Sequence, residues 1–279
     1  QWLKNNFKHL PAAIFANFIY LFPSRKLNLI GVTGTDGKTT VSLLIHHILN
    51  YAKIESGVVS TLGAKIKETI IPVGFHVTSP NPMKLQKFLK MMTDQNIKWA
   101  VLEATSHGLD QYRLWGIKFK IGVFTNLTHE HLDYHLTLEQ YLKAKLKLLK
   151  HSQIVVINKD DPSFEKIIKN LRKNKKKIIT FAINQSADLE AKNIKINSKE
   201  THFTLVYNSQ KIEIHSPLVG KFNVYNQLAA AGATLATGLI NLNQLKEALE
   251  NFTSPKGRME KIPNKKGIKI FIDFAHTPY

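Results

Sequence analysis

The sequence predicts an α/β fold with a mainly parallel sheet, helices on both faces of that sheet and a small antiparallel excursion. Through residues 27–183, short apolar runs of strand length alternate with longer segments of helical periodicity. Such alternation is typical of parallel strands joined by helices. Residues 194–214 then change to short alternating runs separated by turn residues, which is the pattern of antiparallel hairpins.

The first strand, residues 27–32, leads into a glycine-rich turn and the start of a helix. Gly34 and Gly37 allow the backbone to curl so that several N–H groups converge, and a helix N-terminus attracts anions. Lys38 adds a positive charge, and the Thr39 hydroxyl can ligate a Mg²⁺ ion that bridges phosphates. The general Walker pattern has a further glycine that is missing here, but the setting between strand and helix predicts a phosphate-binding turn.

The other elements follow in alternation. Strands are predicted at residues 54–62, 67–73, 99–103, 119–125, 154–158 and 178–183, and helices at residues 41–49, 83–92, 137–150 and 163–172. Residues 76–82 and 105–108 are predicted loops and turns. Hairpin strands are predicted at residues 194–196, 203–207 and 212–214, followed by helices at 224–239 and 242–252 and a last strand at 268–274.

We divide the chain into a helical lead segment (residues 1–26), a central domain (residues 27–254), and a hinge with the first strand of a further domain (residues 255–279). Residues 11–22 are apolar but too short to cross a bilayer. Basic residues flank this run, so it either forms a helix packed on the first strand or lies weakly in a membrane interface.

The composition narrows the class of protein. The chain has 279 residues and a net charge of +19, yet only four of its 39 basic residues are Arg. Arg is the side chain that nucleic-acid readers use for forked contacts. We therefore interpret the charge as solvated lysine and predict no nucleic-acid partner, since an RNA-binding function would rest on charge alone. The lack of cysteine excludes disulfides and thiolate metal sites and fits a cytoplasmic protein.

Two groups of polar residues follow predicted strands. Glu103 closes an apolar strand, where open α/β sheets bind ligands, and an acid beside a phosphate-binding turn is a natural partner of Mg²⁺. The alternative is a hydrated carboxylate at a strand end. Residues 128–135 carry three His and two acids, which could bind a metal or form a polar loop. The spacing leaves both interpretations open.

Lys145 occupies the apolar stripe of the predicted helix at residues 137–150. At 100° per residue, five apolar side chains fall within about 60° of it: Leu138, Tyr141, Leu142, Leu148 and Leu149. Burying an unpaired amine is costly, so this lysine must reach solvent, pair with an acid or be chemically altered.

Taken together, these residues resemble the Mur ligase family, most closely its MurE type, the UDP-N-acetylmuramoyl-tripeptide synthetases. The resemblance runs from about residue 25 to residue 279 and rests on seven ordered motifs. These are GVTGTDGKTT (31–40), EATSHG (103–108), FTNLT with HLDYH (124–128 and 131–135), Asn158 with DDP (160–162), GKFNVYN (220–226), GRME (257–260) and DFAHTP (273–278).

The resemblance implies a role for each matching residue. ATP would be bound by Gly34, Thr35, Asp36, Gly37, Lys38, Thr39, Thr40, Asn223, Asn226, Arg258, Asp273 and His276. Catalytic roles would fall to Lys38, Glu103, His131 and Lys145, and Mg²⁺ would contact Thr39, Glu103, His131 and a carbamylated Lys145. The UDP-muramyl dipeptide would be bound by Thr78, Ser79, Ser106, Gln111 and Arg113.

The implied function is an ATP-dependent amide ligase of peptidoglycan precursor synthesis. It would add meso-diaminopimelate or L-lysine to UDP-MurNAc-L-Ala-D-Glu through an acyl phosphate, as a cytoplasmic monomer. The resemblance further implies that most of the uridine-binding N-terminal domain and nearly all of the C-terminal domain are lacking. The alternatives are another Mur-type or folylpolyglutamate synthetase-like ligase, or an ATP-binding module without ligase activity.

Overall fold

The structure, a computed structural model, describes residues 2–74, 79–172, 176–264, 268 and 270–274. Its strands are β1 (Asn28–Thr33), β2 (Ser56–Ser60), β3 (Gly63–Ile66), β4 (Thr69–Ile71), β5 (Trp99–Glu103), β6 (Phe119–Phe124), β7 (Ser152–Asn158), β8 (Lys177–Ala182), β9 (Leu189–Ile196), β10 (Thr201–Tyr207), β11 (Gln210–Ser216), β12 (Glu260–Ile262) and β13 (Ile270–Ile272). Its helices are α1 (Trp2–Lys4), α2 (Leu10–Ile19), α3 (Lys38–Tyr51), α4 (Pro82–Asp94), α5 (Ser106–Asp110), α6 (Leu132–His135), α7 (Leu138–Lys150), α8 (Phe164–Leu171), α9 (Lys221–Leu235) and α10 (Leu242–Glu250). A π-helical stretch covers Asn5–His9 and a 3₁₀ helix covers Pro23–Lys26.

Within the described residues, β1 to β11 form one sheet in the order β11-β10-β9-β8-β7-β6-β1-β5-β2-β3-β4. The seven central strands pair with one another in parallel, in the order β9-β8-β7-β6-β1-β5-β2. Antiparallel pairs extend the sheet at both edges, through β9–β10–β11 and through β2–β3–β4. The predicted fold class is therefore confirmed, with a second antiparallel edge that the sequence did not predict.

Helices cover both faces of the sheet because successive side chains of a strand point in opposite directions. In β1, Ile30 and Val32 pack in a core with residues of α3, α9 and α10. Leu29 points the other way and packs with residues of α4. A further cluster on α7 and α8 includes Leu142 and Leu146. These two layers of helices fix β1 and its following turn between them.

Three local predictions differ from the structure. The strand predicted at residues 67–73 is the second part of a hairpin, because Lys67 adopts a left-handed φ of 52° between β3 and β4. The turn predicted at residues 105–108 becomes helix α5, whose N-cap Thr105 accepts a hydrogen bond from the Gly108 N–H at 3.0 Å. The last predicted strand is shortened to β13, which pairs antiparallel with the unpredicted β12.

The lead segment packs differently from its prediction. Helix α2 contacts α4 mainly, and it is the 3₁₀ helix at Pro23–Lys26 that contacts β1. The main packing partner of this helix is therefore α4 and not the first strand, where it was predicted to pack. Phe15 and Phe18 are both 62% exposed on its outer side. Among the described residues, none of the helices combines the length and the apolar character needed to span a membrane.

Candidate active site

Three neighbouring parallel strands in the middle of the sheet have their carboxyl ends side by side. The turn at residues 34–37 follows β1, Glu103 closes β5, and Asn126 lies just after β6. After β1 the chain continues to β2 on one side of β1, and after β5 it crosses to β6 on the other side. Open α/β sheets bind ligands in the crevice at such a reversal of strand order. The register Val32↔Glu103 brings the strand-end carboxylate level with the turn.

The turn after β1 requires glycine at two positions. Gly37 has φ of 79°, and a Cβ atom there would lie 2.2 Å from Asn226 Oδ1. A Cβ atom on Gly34 would lie 1.8 Å from Thr125 Oγ1. The backbone of the turn is thus pressed against α9 on one side and the end of β6 on the other.

The N–H groups of this turn divide into two sets. Those of Thr35 and Asp36 donate to Asn126 Oδ1 at 3.1 and 2.8 Å, so a side chain that the sequence analysis did not single out already occupies them. Those of residues 38–40 belong to the first turn of α3, where Val41 is the first to bond back, to Gly37 O at 2.8 Å. The N-cap residue of α3 is Gly37, which has no side chain that could accept hydrogen bonds from these N–H groups. The helix start is therefore the part of the turn suited to an anion.

Thr39 and Glu103 meet at the helix start. Thr39 Oγ1 donates to Glu103 at 3.0 Å from Oε1 and 3.1 Å from Oε2, and the Thr61 N–H donates to Oε2 at 3.0 Å. Both Thr39 and Glu103 are only 3% exposed. Within the described ranges, no Lys, Arg or His forms an ion pair with this carboxylate. A buried carboxylate without a cationic partner is a place for a bound cation.

Lys145 points inward from α7, as the helical pattern predicts. It is 1% exposed, its Nζ donates to Gly34 O, and the amine lies 4.1 Å from the centroid of the Tyr141 ring. Burial, together with the nearby charge of Lys38, holds the pKa of Lys145 well below its ordinary value. The side chain therefore reaches the turn as an amine with a strongly reduced affinity for a proton.

A cavity of about 190 Å³ lies next to the first turn of α3. Its lining includes Lys38, Thr39, Thr40, Glu103, His131 and Arg258. The Lys38 amine donates to Thr35 O, and Arg258 Nη2 donates to Thr39 Oγ1 at 3.4 Å. Burial lowers the pKa of His131, so its imidazole is kept neutral, the form that can ligate a metal. Of the residues that the resemblance assigned to metal, Thr39, Glu103 and His131 thus line one space, and Lys145 is not part of its lining.

A second cavity of about 250 Å³ adjoins the same turn and shares Asp36 and Gly37 with the first. Phe222, Tyr225 and Asn226 of α9 line it. Asn223 does not, because its amide donates to Val219 O and its Oδ1 accepts from Asn226 at 3.1 Å. The sequence analysis missed the two aromatic residues, although an aromatic pair three positions apart beside the asparagines was a usable signal.

The residues assigned to a muramyl dipeptide lie beyond Glu103. Ser79 Oγ donates to Glu103 O at 3.2 Å, and Arg113 Nη1 donates to Ser79 O. Gln111 Oε1 accepts from Arg113 Nε at 3.0 Å and from Nη2 at 2.6 Å. Ser106 is buried, and its hydroxyl has no hydrogen-bond partner among the described residues.

Three assigned residues lie away from this arrangement or outside it. Asp273 accepts a hydrogen bond from the Met259 N–H at 2.6 Å within the β12–β13 hairpin. Its neighbour Phe274, which the sequence analysis did not select, lines the 190 Å³ cavity. Thr78 and His276 lie outside the described residues.

Comparison with known proteins gives two relatives named UDP-N-acetylmuramoyl-L-alanyl-D-glutamate–2,6-diaminopimelate ligase. The one from Clostridium botulinum is 38% identical over 268 residues, which cover 95% of this chain and 54% of the relative. The one from Chlamydia pneumoniae is 40% identical over 281 residues, which cover 100% of this chain and 57% of the relative. The chain therefore spans about half the length of the curated relatives it matches.

Solved structures agree with this relationship. A structure of a UDP-N-acetylmuramoyl-L-alanyl-D-glutamate–2,6-diaminopimelate ligase superimposes with a TM-score of 0.81 at 33% identity, over 89% of this chain and 52% of that one. A complex of FPGS with AMPPCP has a TM-score of 0.83 at 19% identity, over 96% of this chain and 73% of that one, which shows a shared fold. The Mur ligase middle domain matches residues 32–234, most of the chain. The chain belongs to the Mur ligase family.

Proposed function

We propose that this chain carries the nucleotide-binding centre of an ATP-dependent amide ligase of peptidoglycan precursor synthesis. The substrates would be UDP-MurNAc-L-Ala-D-Glu and a free amino acid, meso-diaminopimelate or L-lysine. The observation that carries the proposal is the contact of Thr39 with the unpaired, buried carboxylate of Glu103 at the start of α3. The names of the relatives support diaminopimelate as the amino acid.

The proposed reaction has two steps. The substrate carboxylate attacks the γ-phosphorus of ATP and ADP leaves, which gives an acyl phosphate. The amine of the amino acid then attacks the acyl carbon, phosphate leaves, and the nitrogen loses a proton to solvent. Lys38 and the N–H groups at the start of α3 would bind the phosphates and reduce their repulsion of the attacking carboxylate.

The nucleotide would span the two adjoining cavities. The adenine base would lie against Phe222 and Tyr225 beside Asn226, with Asn223 orienting the Asn226 amide. Arg258, which already donates to Thr39, would approach the phosphates from the hinge. Asp273 and His276 would bind the nucleotide from the same side as Arg258. Residues 255–279 would form the hinge and the first strand of a further domain.

The residues around Glu103 fit Mg²⁺. They offer the oxygen ligands that this ion prefers, and the buried carboxylate lacks a protein cation. Within the described residues no group of three His, Cys, Asp or Glu could hold a metal ion, so phosphate and water would supply the other ligands. His131, on the same cavity, is the proposed ligand of a second ion. When bound, Mg²⁺ would offset the charge that the phosphates develop.

Lys145 is proposed to be carbamylated. Its lowered pKa favours the neutral amine, which is the form that adds to carbon dioxide and releases a proton. The resulting carbamate would place an anion beside Gly34, where the unmodified amine now donates. A buried neutral amine would in this way become a negatively charged group facing the metal ions.

The acceptor would bind beyond Glu103, at Thr78, Ser79, Ser106, Gln111 and Arg113. We propose that residues 27–254 form the catalytic domain of a cytoplasmic monomer that has no nucleic-acid partner. The exposed Phe15 and Phe18 support, at most, a weak contact of residues 11–22 with a membrane surface.

Phosphate release from ATP, measured with each candidate acceptor and amino acid, tests the proposal. Release that requires both UDP-MurNAc-L-Ala-D-Glu and a diamino acid is the expected result. Release with a folate acceptor alone would point to the folylpolyglutamate synthetase-like alternative. Binding of Mg·AMPPCP without acceptor-dependent release would indicate a nucleotide-binding module instead.

A further inference from the structure

The Asp110 carboxylate joins three separate parts of the chain. Its Oδ2 accepts from Asn5 Nδ2 at 2.8 Å and from the Tyr134 hydroxyl at 3.1 Å, and its Oδ1 accepts from Lys147 Nζ at 2.7 Å. The donors come from the lead segment, from α6 and from α7, the helix that carries Lys145. The Asp110 side chain is 26% exposed. A half-buried carboxylate with three donors on distant segments fixes their relative positions.

From Asp110 a hydrogen-bonded series leads to the proposed acceptor residues. The Tyr134 hydroxyl accepts from Gln111 Nε2 at 3.4 Å, and Gln111 Oε1 receives two hydrogen bonds from Arg113. Arg113 in turn donates to the backbone of Ser79. The Gln111 amide is therefore held at its oxygen by Arg113 and at its nitrogen by the Tyr134 hydroxyl, which Asp110 orients.

A second series leads to the phosphate side. The Tyr134 ring lies 4.2 Å from the His107 ring, centroid to centroid. The His107 ring lies 4.8 Å from that of His131, at 88°. Tyr134 reaches His131 only through two successive ring contacts, whereas it is hydrogen-bonded to Gln111 directly. Rotation of the tyrosine would therefore disturb the Gln111 amide more than it would disturb His131.

We propose that Asp110 is a positioning residue, which holds Tyr134 and through it sets Gln111 and Arg113 to receive the acceptor. This inference rests on the proposed function, since it concerns the acceptor of that same site. Asp110 itself would touch no substrate. Burial raises the pKa of Asp110, but the hydrogen bonds from Lys147, Tyr134 and Asn5 outweigh that effect and leave it below its ordinary value. The carboxylate thus stays ionised and can accept from all three donors.

The variant Asp110→Asn tests the role. Its amide turns one acceptor oxygen into a donor, so at least one of the three donors loses its partner. Calorimetry would measure two dissociation constants, that of Mg·AMPPCP and that of UDP-MurNAc-L-Ala-D-Glu in its presence. We expect acceptor binding to weaken about tenfold, the usual effect of losing a charge-assisted hydrogen bond, and nucleotide binding to change less than about twofold. An equal loss of affinity for both ligands would indicate a merely structural role and overturn the proposal.

Two further variants sharpen the test. Asp94→Asn removes an exposed carboxylate that pairs with Lys90 on α4, and it should leave both constants unchanged. Tyr134→Phe should weaken acceptor binding by about as much as Asp110→Asn does. The double variant should bind the acceptor no more weakly than either single variant. Additive effects would contradict transmission through Tyr134. If Asp110→Asn does not fold, Tyr134→Phe decides alone, since unchanged acceptor binding would overturn the proposal.

The wild-type protein separates this inference from the proposed function. Wild-type binding of both ligands, with unchanged acceptor binding in Asp110→Asn, would overturn only the positioning role. If the wild-type protein binds Mg·AMPPCP but does not bind UDP-MurNAc-L-Ala-D-Glu, the acceptor assignment and the positioning role are overturned together. A folded wild type that binds neither would overturn the proposed function itself.

Discussion

The Thr39 hydroxyl lies 3.0 and 3.1 Å from the two carboxylate oxygens of Glu103, although 64 positions separate the residues in the chain. The contact follows from the sheet, because β1 and β5 are adjacent and parallel, with Val32 level with Glu103. The turn after β1 and the end of β5 must therefore meet at one edge. A buried carboxylate is held there by hydroxyl and N–H donors rather than by a protein cation.

Replacing Glu103 with Gln should reduce the metal dependence of nucleotide binding. A neutral amide is a poorer ligand for a hard cation, so we expect the affinity for Mg·AMPPCP to fall by about tenfold or more. Affinity for metal-free AMPPCP should change little. Titration calorimetry with and without Mg²⁺ measures both. Glu55→Gln is the control, since Glu55 is exposed just before β2, at the opposite edge of the sheet. Equal metal dependence in Glu103→Gln and wild type would rule out a metal ligand at this position.

Replacing Lys145 with Met should lower the ligase turnover without lowering the free energy of unfolding. A volume-conserving apolar side chain removes a buried amine, so the free energy of unfolding should not fall and could rise by about 1 kcal/mol or more. Ligase turnover should fall by about 100-fold if the carbamate positions the metal ions. Urea unfolding and phosphate release measure the two effects.

The matched control for Lys145 is Lys143→Met, which alters an exposed lysine on the same helix. In ¹³C-bicarbonate, wild type and Lys143→Met should show a carbamate carbon signal that Lys145→Met lacks. A signal of equal intensity in all three proteins would assign it to another amine.

The sequence predicts those parts of the site that depend on local periodicity. The apolar run before Gly34 predicts β1, and the helical spacing of α7 predicts that Lys145 points inward, where it is 1% exposed. Glu103 was found because a lone acid closes an apolar strand. In each case the signal lies within one element, so spacing along the chain was enough.

The missed residues act across long separations in the chain. Asn126 binds the N–H groups of Thr35 and Asp36 from about 90 positions away, a contact that only the adjacency of β1 and β6 creates. The antiparallel extension at the β2 edge was missed because it depends on a left-handed residue, Lys67, where the type of side chain gives no warning. Both depend on tertiary structure that overrides local preference.

The stability of the protein should depend on the protonation of His46. Burial, with smaller effects from Lys65 and His47, lowers the pKa of His46 to about 4, and its Nδ1 lies 2.9 Å from Ser56 Oγ. The unfolded chain, with a pKa of about 6.5, binds more protons between these values, so the free energy of unfolding rises with pH over that window. Acidification from about pH 7 to about pH 4 should remove about 3 kcal/mol that is specific to His46.

The variant His46→Asn isolates this dependence, because Asn retains a polar group near Ser56 but does not titrate. Urea unfolding followed by tryptophan fluorescence at several pH values should show a smaller loss of stability on acidification in His46→Asn than in wild type. His151→Asn, at an exposed position after α7, serves as the control and should follow wild type. Identical pH profiles for His46→Asn and wild type would contradict the assignment.

Replacing Gly37 with Ala should damage the turn more than the left-handed backbone alone would explain. Gly238 offers a matched control with φ of 73°, because a Cβ atom added there would meet no heavy atom of the described residues within 4 Å. The Cβ atom of Gly37→Ala, by contrast, would lie 2.2 Å from Asn226 Oδ1. Gly238→Ala should cost roughly 1–2 kcal/mol of unfolding free energy. Gly37→Ala should cost about 1–3 kcal/mol more, since Asn226 must move, and should weaken Mg·AMPPCP binding by at least about tenfold. Equal losses of stability in the two variants, with unchanged nucleotide binding, would show that the approach of Asn226 to the turn does not matter.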